Sequence, residues 1–435
     1  MSRTTRYGAV AGVLSLLVPV ALAGCSGGGR AAELVEEESP EATQTTPSPS
    51  PTPSGPVTLT WATPPDPYPG GPAEIAKACA AASDGRYSID VNPTPADYED
   101  RRAYLEARFA GRATADLVTV DHTLLGEFVE AGYLAPLSVS DRAELRATML
   151  AGPLAANTVD GQVAAFPLFS SVQLLWYRRS VARKAGVDLG RPTTWARIIA
   201  AAESARTTVQ VNAGRNGGYL TWLNALIEGA GGSLLQPDSE AGRAAAAVIR
   251  RLATSKAADP QLDSATLQQA SARFFKGDGS FLVGWPGTVL ELPKTVTWKP
   301  GDLGWTAYPR TAPDRPAQPP VTGLGLAISR ASEHQQPAVE AARCITSRQR
   351  QVEFMLSQGY LVSGRADVYD DKRIRQVYSM ADLLRESLRS GAPTPIPAAD
   401  DEVSRAMAET FWPPQRVDPQ TTPRAAQRAV VAALQ

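Results

Sequence analysis

The chain has 435 residues, with 43 basic and 44 acidic side chains for a formal net charge of −1. That balance excludes the basic excess that marks a nucleic-acid binder. Hydrophobic residues make up 43% of the chain, enough for a large buried core, and the length points to two lobes or domains rather than one.

The N-terminus is ordered like a secretory signal. Arg3 and Arg6 give a basic start, Gly8 to Ala23 is uncharged and apolar, and the small residues Ala23 and Gly24 precede Cys25. The run is too short and too interrupted by Gly and Pro for a comfortable membrane span. Leu22-Ala23-Gly24-Cys25 resembles a lipobox, the bacterial lipoprotein signal in which the cysteine thiol is lipidated and the chain is cut just before it. Residues 1–24 are therefore expected to be a signal peptide. Cys25 becomes the lipidated first residue of a protein anchored on the extracytoplasmic side of the cell membrane. The competing reading is an ordinary signal peptide, with Cys25 cut away. Without residues 1–24 the balance is 41 basic against 44 acidic side chains, a net −3.

Residues 25–56 read as a linker. They carry Glu36-Glu37-Glu38 and then "TQTTPSPSPTPSGP" from Thr43 to Pro56. Such sequence lacks the large apolar side chains a core needs, and its prolines favour an extended chain. With Cys25 assigned to lipid, Cys79 and Cys344 remain for an oxidising compartment and are expected to pair, the alternative being two buried thiols.

From Val57 the elements alternate. "VTLTWA" (57–62) reads as a strand, "TPPDPYPGGP" as a loop and "AEIAKACAAA" as a helix. A second strand follows at Tyr87–Val91, an amphipathic helix at Tyr98–Phe109 and a third strand in "ADLVTVD" (115–121). Strands alternating with helices imply a parallel sheet, and ligands bind off the carboxyl ends of such strands. Asp66, after the first strand, and Asp121, ending the third, are thus candidates to face one crevice. "VDGQVAAFP" and "LFSSVQLLWYRR" read as strands, with Asp160-Gly161 as a tight turn. "PTTWARIIAAAESA" reads as a helix capped by Thr193 or Thr194, and "TWLNALIEGAGGSLL" as a helix stopped by Gly231-Gly232. "RFFKGDGSFLVGWPGTV" passes through a turn at Lys276–Gly279 into a strand ending at Trp285. No internal repeat is apparent.

The order of these motifs resembles the carbohydrate-binding family of extracellular solute-binding proteins that serve bacterial ABC importers. "FVEAGYLAPL" (128–137) is similar to that family's Phe-x-x-x-Gly-x-Leu-x-Pro-Leu segment, and "DGQVAAFP" to its Asp-Gly hairpin. "LLWYRRSVARKAGVD" with "PTTWARIIAAA", "FFKGDGSFLVGWP" and "LSQGYLVSGRADVYDD" follow in the family's sequence. Within the family, the "QLLWYR", "IAKAC" and "ARC" stretches look most like mycobacterial trehalose-binding lipoproteins of a trehalose-recycling importer. The resemblance implies an α/β, two-lobed, periplasmic-binding-protein-like (type II) fold with a ligand cleft between lobes joined by hinge strands. It places lobe 1 in residues 57–167 and 318–345, and lobe 2 in 168–317 and 346–435. The expected protein is a monomer without cofactor or metal, whose partners are ABC permease subunits with a cytoplasmic ATPase.

A neutral sugar offers apolar C–H faces and many hydroxyls, so its pocket needs aromatic platforms and fixed polar groups. Asp66 and Asp121 are the expected acceptors from the first lobe and Trp285 the platform from the second, with the backbone at Gly323 approaching closely. Ser170, Ser171 and Gln173 lie near a crossing between lobes. Tyr219 and Trp222 follow a glycine break and are further candidates, whereas Trp61, Trp176 and Trp195 read as packing. Asp121 capping a helix, Asp66 shaping a turn and Trp285 in the core are the structural alternatives. Ser171, Gly217 and Gly284 stand where the trehalose binders carry an asparagine, an acid and an asparagine, which argues against trehalose itself.

Two rival functions are a tethered hydrolase of envelope glycans, since paired carboxylates split glycosidic bonds, and a non-transport adaptor on the same fold. His122 and His334 are the only histidines, and HExxH, GxSxG, SxxK and the phosphate-binding GxxxxGK[ST] are all missing. His122, beside Asp121, lines the cleft or stands as a surface or capping residue. The expected protein is therefore a binder and not an enzyme.

Overall fold

A computed structural model describes residues 56–65, 71–110, 115–215, 217–287, 296–358, 361–393 and 400–435. Cys25 and Asp66 lie outside them. The chain from Pro53 to Gln435 forms one compact unit.

The first part alternates as its hydrophobic pattern requires: β1 (Val57–Thr63), α1 (Pro72–Ala82), β2 (Tyr87–Pro93), α2 (Tyr98–Ala110) and β3 (Leu117–Asp121). Pro72 opens α1 in its first turn, where a missing N–H costs nothing. After α3 (Leu125–Glu130), α4 (Val139–Thr148) and α5 (Ala151–Ala156) comes the hairpin β4 (Thr158–Val159) and β5 (Gln162–Val163). Asp160 and Gly161 turn it with positive φ angles of 48° and 74°. The strand β6 (Phe166–Val172) follows, every residue of it buried.

Gln173 separates β6 from β7 (Leu174–Arg178), and across that one residue the chain passes from one sheet to another. The second sheet adds α6 (Arg179–Lys184), α7 (Trp195–Ala205), β8 (Thr208–Gln210), α8 (Gly217–Glu228), α9 (Glu240–Ala253), α10 (Leu267–Lys276), β9 (Gly279–Gly284) and β10 (Leu303–Thr306). Thr194 caps α7 by accepting from Arg197 N–H at 3.3 Å. A Thr266–Gln269 capping box opens α10, and Gly277 closes it at φ 88°. The chain returns through β11 (Pro320–Ile328) to α11 (Gln335–Ile345), α12 (Arg348–Gln358), α13 (Lys372–Val377), α14 (Ala381–Ser390), β12 (Ala392–Pro393), α15 (Asp400–Thr410) and α16 (Thr422–Ala433).

The larger sheet runs β12-β11-β3-β1-β2, with β6 also on β11; the smaller runs β10-β7-β9-β8. In the larger, β1 is parallel to both β2 and β3, while β11 returns antiparallel to β3 and β6. The result is the two-lobed α/β architecture that the motif order implied. Helices cover both faces of the larger sheet. The smaller has its own core around Trp195, Trp222, Phe281 and Phe411. A further core is shared: Val172, Leu174 and Trp176 at the crossing pack with Phe274 and Leu282 on one side and with Tyr369, Leu384 and Leu388 on the other.

Cys79 on α1 and Cys344 on α11 are bonded to each other, 265 positions apart in sequence. Next to Cys344, Arg343 donates to the buried Asp141 of α4 at 2.6 Å. Thus α11 is fixed covalently to one neighbour and by an ion pair to another.

Candidate ligand cleft

The parallel strands β1, β2 and β3 deliver their carboxyl ends side by side, and side chains just beyond those ends face whatever the sheet binds. Asp121 is the last residue of β3. It precedes a short 3-10 turn (His122–Leu124), yet its side chain makes no cap there. Its Oδ2 instead accepts from Arg101 Nε at 2.9 Å and Nη2 at 2.8 Å. Arg101 is buried on α2, and its Nη1 donates to the carbonyls of Pro95 at 3.1 Å and Ala96 at 2.8 Å. A buried guanidinium held by main-chain carbonyls is a fixed clamp, and it leaves Asp121 Oδ1 without a hydrogen bond among the described residues.

Beside this pair, His122 Nδ1 lies 3.4 Å from the carbonyl oxygen of Gly323. Burial holds the His122 imidazole below its ordinary pKa, against the smaller opposing effects of that carbonyl and of Asp121. Tyr98 OH and Thr123 Oγ1 are 3.0 Å apart on the same wall. Thr63 ends β1 and Thr94 directly follows β2, and Thr94 N–H donates to Thr63 O at 2.9 Å. Both side-chain hydroxyls are buried and neither has a partner among the described residues. The threonines and Arg101 escaped the sequence reading; their only signal is a position within two residues of a strand's carboxyl end, or a basic residue on the helix before β3.

Gly323 sits where β11 passes β6. A Cβ there would stand 2.3 Å from Phe169 O. The glycine is thus required by the strand crossing. Ser171 lies opposite Thr322 in that pairing and is buried, and Ser170 exchanges two main-chain hydrogen bonds with Val362.

From the second sheet, Trp285 follows β9 directly and is half-buried. The carbonyl before it, Gly284 O, accepts from Trp176 Nε1 at 2.9 Å. A Cβ on Gly284 would make ordinary van der Waals contact, its nearest neighbour being Leu282 Cγ at 3.6 Å. Beyond β8, Asn212 Oδ1 is buried without a partner among the described residues. Tyr219 and Trp222 are enclosed instead in the core of the second sheet. The Tyr219 hydroxyl donates to Phe411 O, and Trp222 packs on Trp195 with ring centroids 5.7 Å apart. The structure therefore brings Asp121, His122 and Gly323 together, holds Ser171 at the crossing, leaves Trp285 half-buried, and puts Tyr219 and Trp222 inside the fold. Among the described residues there is no cluster of metal-ligating side chains, and no helix is long and apolar enough to cross a membrane.

Residues 72–352 match the family described as bacterial extracellular solute-binding protein. The chain belongs to that family. Its members bind solutes and are not enzymes. A probable ABC transporter-binding protein of Deinococcus radiodurans is 24% identical over 239 residues, which are 50% of this chain and 55% of that protein. The chain thus spans about half the length of this relative. Among solved structures, the sugar-binding protein MalE of Xanthomonas citri superposes with a TM-score of 0.73 at 18% identity, over 87% of this chain and 98% of its own. Maltose-bound MalE3 of T. maritima gives 0.69 at 20%, over 86% and 99%. UgpB of Mycobacterium tuberculosis with glycerophosphocholine gives 0.66 at 19%, over 88% and 98%. At these identities the likeness is one of fold.

Proposed function

We propose that this solute-binding protein captures a neutral, hydroxyl-rich solute of the carbohydrate class between its lobes and delivers it to the permease subunits of an ABC importer driven by a cytoplasmic ATPase. The clamp on Asp121 carries this reading. Arg101 fixes one carboxylate oxygen and cancels its charge, so the other oxygen is presented as an oriented acceptor in a wall without excess charge. A neutral His122 extends that wall with a group suited to sugar hydroxyls. Trp285 supplies the apolar face for a ring's C–H groups. The maltose bound in MalE3 of T. maritima supports the same solute class.

Asp66, Ser171 and the backbone at Gly323 belong to the same reading, with Tyr219 and Trp222 supporting the second lobe from within. Lobe 1, residues 57–167 with 318–345, and lobe 2, residues 168–317 with 346–435, close about the crossings at Gln173 and before β11. The protein works as a monomer without cofactor, held to the membrane by lipid on Cys25 through the linker of residues 25–56. Ser171, Gly217 and Gly284 remove side-chain partners that trehalose would use. Each buried hydrogen bond left unmade costs about 1–3 kcal/mol, so the solute is a different or modified sugar.

A thermal-shift screen of mono- and disaccharides, followed by calorimetric titration, identifies the solute, since a ligand of the native state raises the melting temperature. Arg101→Gln is expected to weaken binding of that sugar by tenfold or more, the equivalent of about 1.4 kcal/mol. Scattering should report a more compact particle on binding. Release of a shortened sugar would instead identify the hydrolase, and binding without closure would remove the import mechanism. Cys25→Ser should abolish labelling by a lipid precursor.

A further inference from the structure

The outer edge of the smaller sheet gathers positive charge, two of its arginines lying over aromatic rings. The edge strand is β10, which among the described residues pairs with β7 alone. Arg179, at the start of α6, holds its guanidinium carbon 5.3 Å from the ring of Trp305 on β10. Arg178 stands likewise 5.7 Å from the ring of Trp298. Arg183 is one helical turn from Arg179 on the same side of α6, and Lys184 follows it. Thr297 Oγ1 donates to Lys276 O at 2.7 Å, which brings the exposed Lys276 beside Trp298, while the exposed Lys299 follows that ring in sequence.

Arg179, Arg183, Lys184, Lys276 and Lys299 are all exposed, and none has a carboxylate partner among the described residues. The acids of these segments do little to offset them. Asp302 is committed to Arg178 at 3.4 Å and to the Ser180 hydroxyl at 2.6 Å, leaving the exposed Asp278. Lysine is scarce in this chain, with seven in all, and Lys184, Lys276 and Lys299 lie in the segments that border β7, β9 and β10.

We propose that this face docks on an anionic phospholipid surface. Five separated cations without carboxylate partners fit a diffuse field of negative headgroups. Trp305, partly exposed beneath the Arg179 guanidinium, adds the pairing of cation and amphipathic ring that seats at headgroup level, while Trp298 is buried and anchors the segment from within. Tethering through Cys25, which belongs to the functional reading above, would keep the face within reach of a leaflet, but the attraction does not depend on it.

The test is co-sedimentation of the chain from Ser26 onward, free of both lipid and the apolar segment of residues 8–23, with vesicles of phosphatidylcholine alone or of equimolar phosphatidylcholine and phosphatidylglycerol. Arg183 and Lys184 make no side-chain hydrogen bonds among the described residues, so Arg183→Gln/Lys184→Gln should leave the fold intact. It is expected to weaken binding to the anionic vesicles roughly thirtyfold, at about fivefold per charge near the surface, and to leave binding to neutral vesicles unchanged. Arg424→Gln/Arg428→Gln, an equal charge change on the exposed side of α16, should have little effect. Equal losses from both pairs, no preference for anionic vesicles, or equally tight binding to soluble polyglutamate would overturn the proposal, the last in favour of an acidic protein partner. Sugar titration of the same variants reads the cleft separately, so failure of one reading is distinguishable from failure of the other.

Discussion

His122 carries a pH dependence whose sign is set by its surroundings. Burial lowers its folded pKa, although Asp121 and the Gly323 carbonyl favour the proton. The unfolded chain, with an ordinary imidazole near about 6.5, therefore binds more protons in the window below that value. Its contribution to stability is complete above the unfolded pKa and is lost as the pH falls toward the folded one. His122→Asn removes the titration. Urea unfolding from neutral pH downward should show the parent losing stability relative to the variant, and parallel curves would contradict the assignment. Arg101 shows why such residues are hard to read from sequence. Nothing in the helical pattern of α2 says that one arginine turns inward, because its partners are the carbonyls of Pro95, Ala96 and Asp97 and an acid twenty positions on. Asp121 was legible by position, at the end of an apolar strand; the partner that fixes it was not.

Among the elements, the crossing of β6 and β11 is the least tolerant of added volume. At Gly323 the obstacle to a Cβ is main chain, the Phe169 carbonyl at 2.3 Å, so no side chain can swing aside. Gly323→Ala should cost about 1–3 kcal/mol, the range for overpacking a closed site. Gly284→Ala, with 3.6 Å of clearance, should change the urea midpoint little. Equal midpoints for both variants would refute the steric account. Element order was legible because β1 to β3 alternate with amphipathic helices, and Thr194 signals the start of α7. The inward face of α8 was not. Trp222 through Ile227 are all buried, so the hydrophobic pattern has no polar side from which to tell which aromatic rings face a cleft. Tyr219 and Trp222 were candidates beside a glycine break, yet packing against Phe411 and Trp195 governs their place.

At the scale of the whole molecule, the two sheets do not have wholly separate cores. Trp176 and Leu282 pack in the same cluster as Tyr369 and Leu384, and melting either side exposes apolar surface on the other. Calorimetry should therefore record one cooperative transition, with calorimetric and van't Hoff enthalpies in agreement. Two separable transitions would show that the shared cluster does not couple the lobes. A shared core also resists sliding of one sheet past the other, since that would open voids in it.

The bond between Cys79 and Cys344 has a consequence for the fate of the protein outside the cell. Because the two cysteines bracket the chain from the end of α1 to α11, the whole of the smaller sheet hangs inside a covalent ring. An extracellular protease that cuts once within that ring opens it without dividing the molecule, and both fragments stay joined until a reductant reaches the sulfurs. A nicked protein can thus keep its two sheets in one piece.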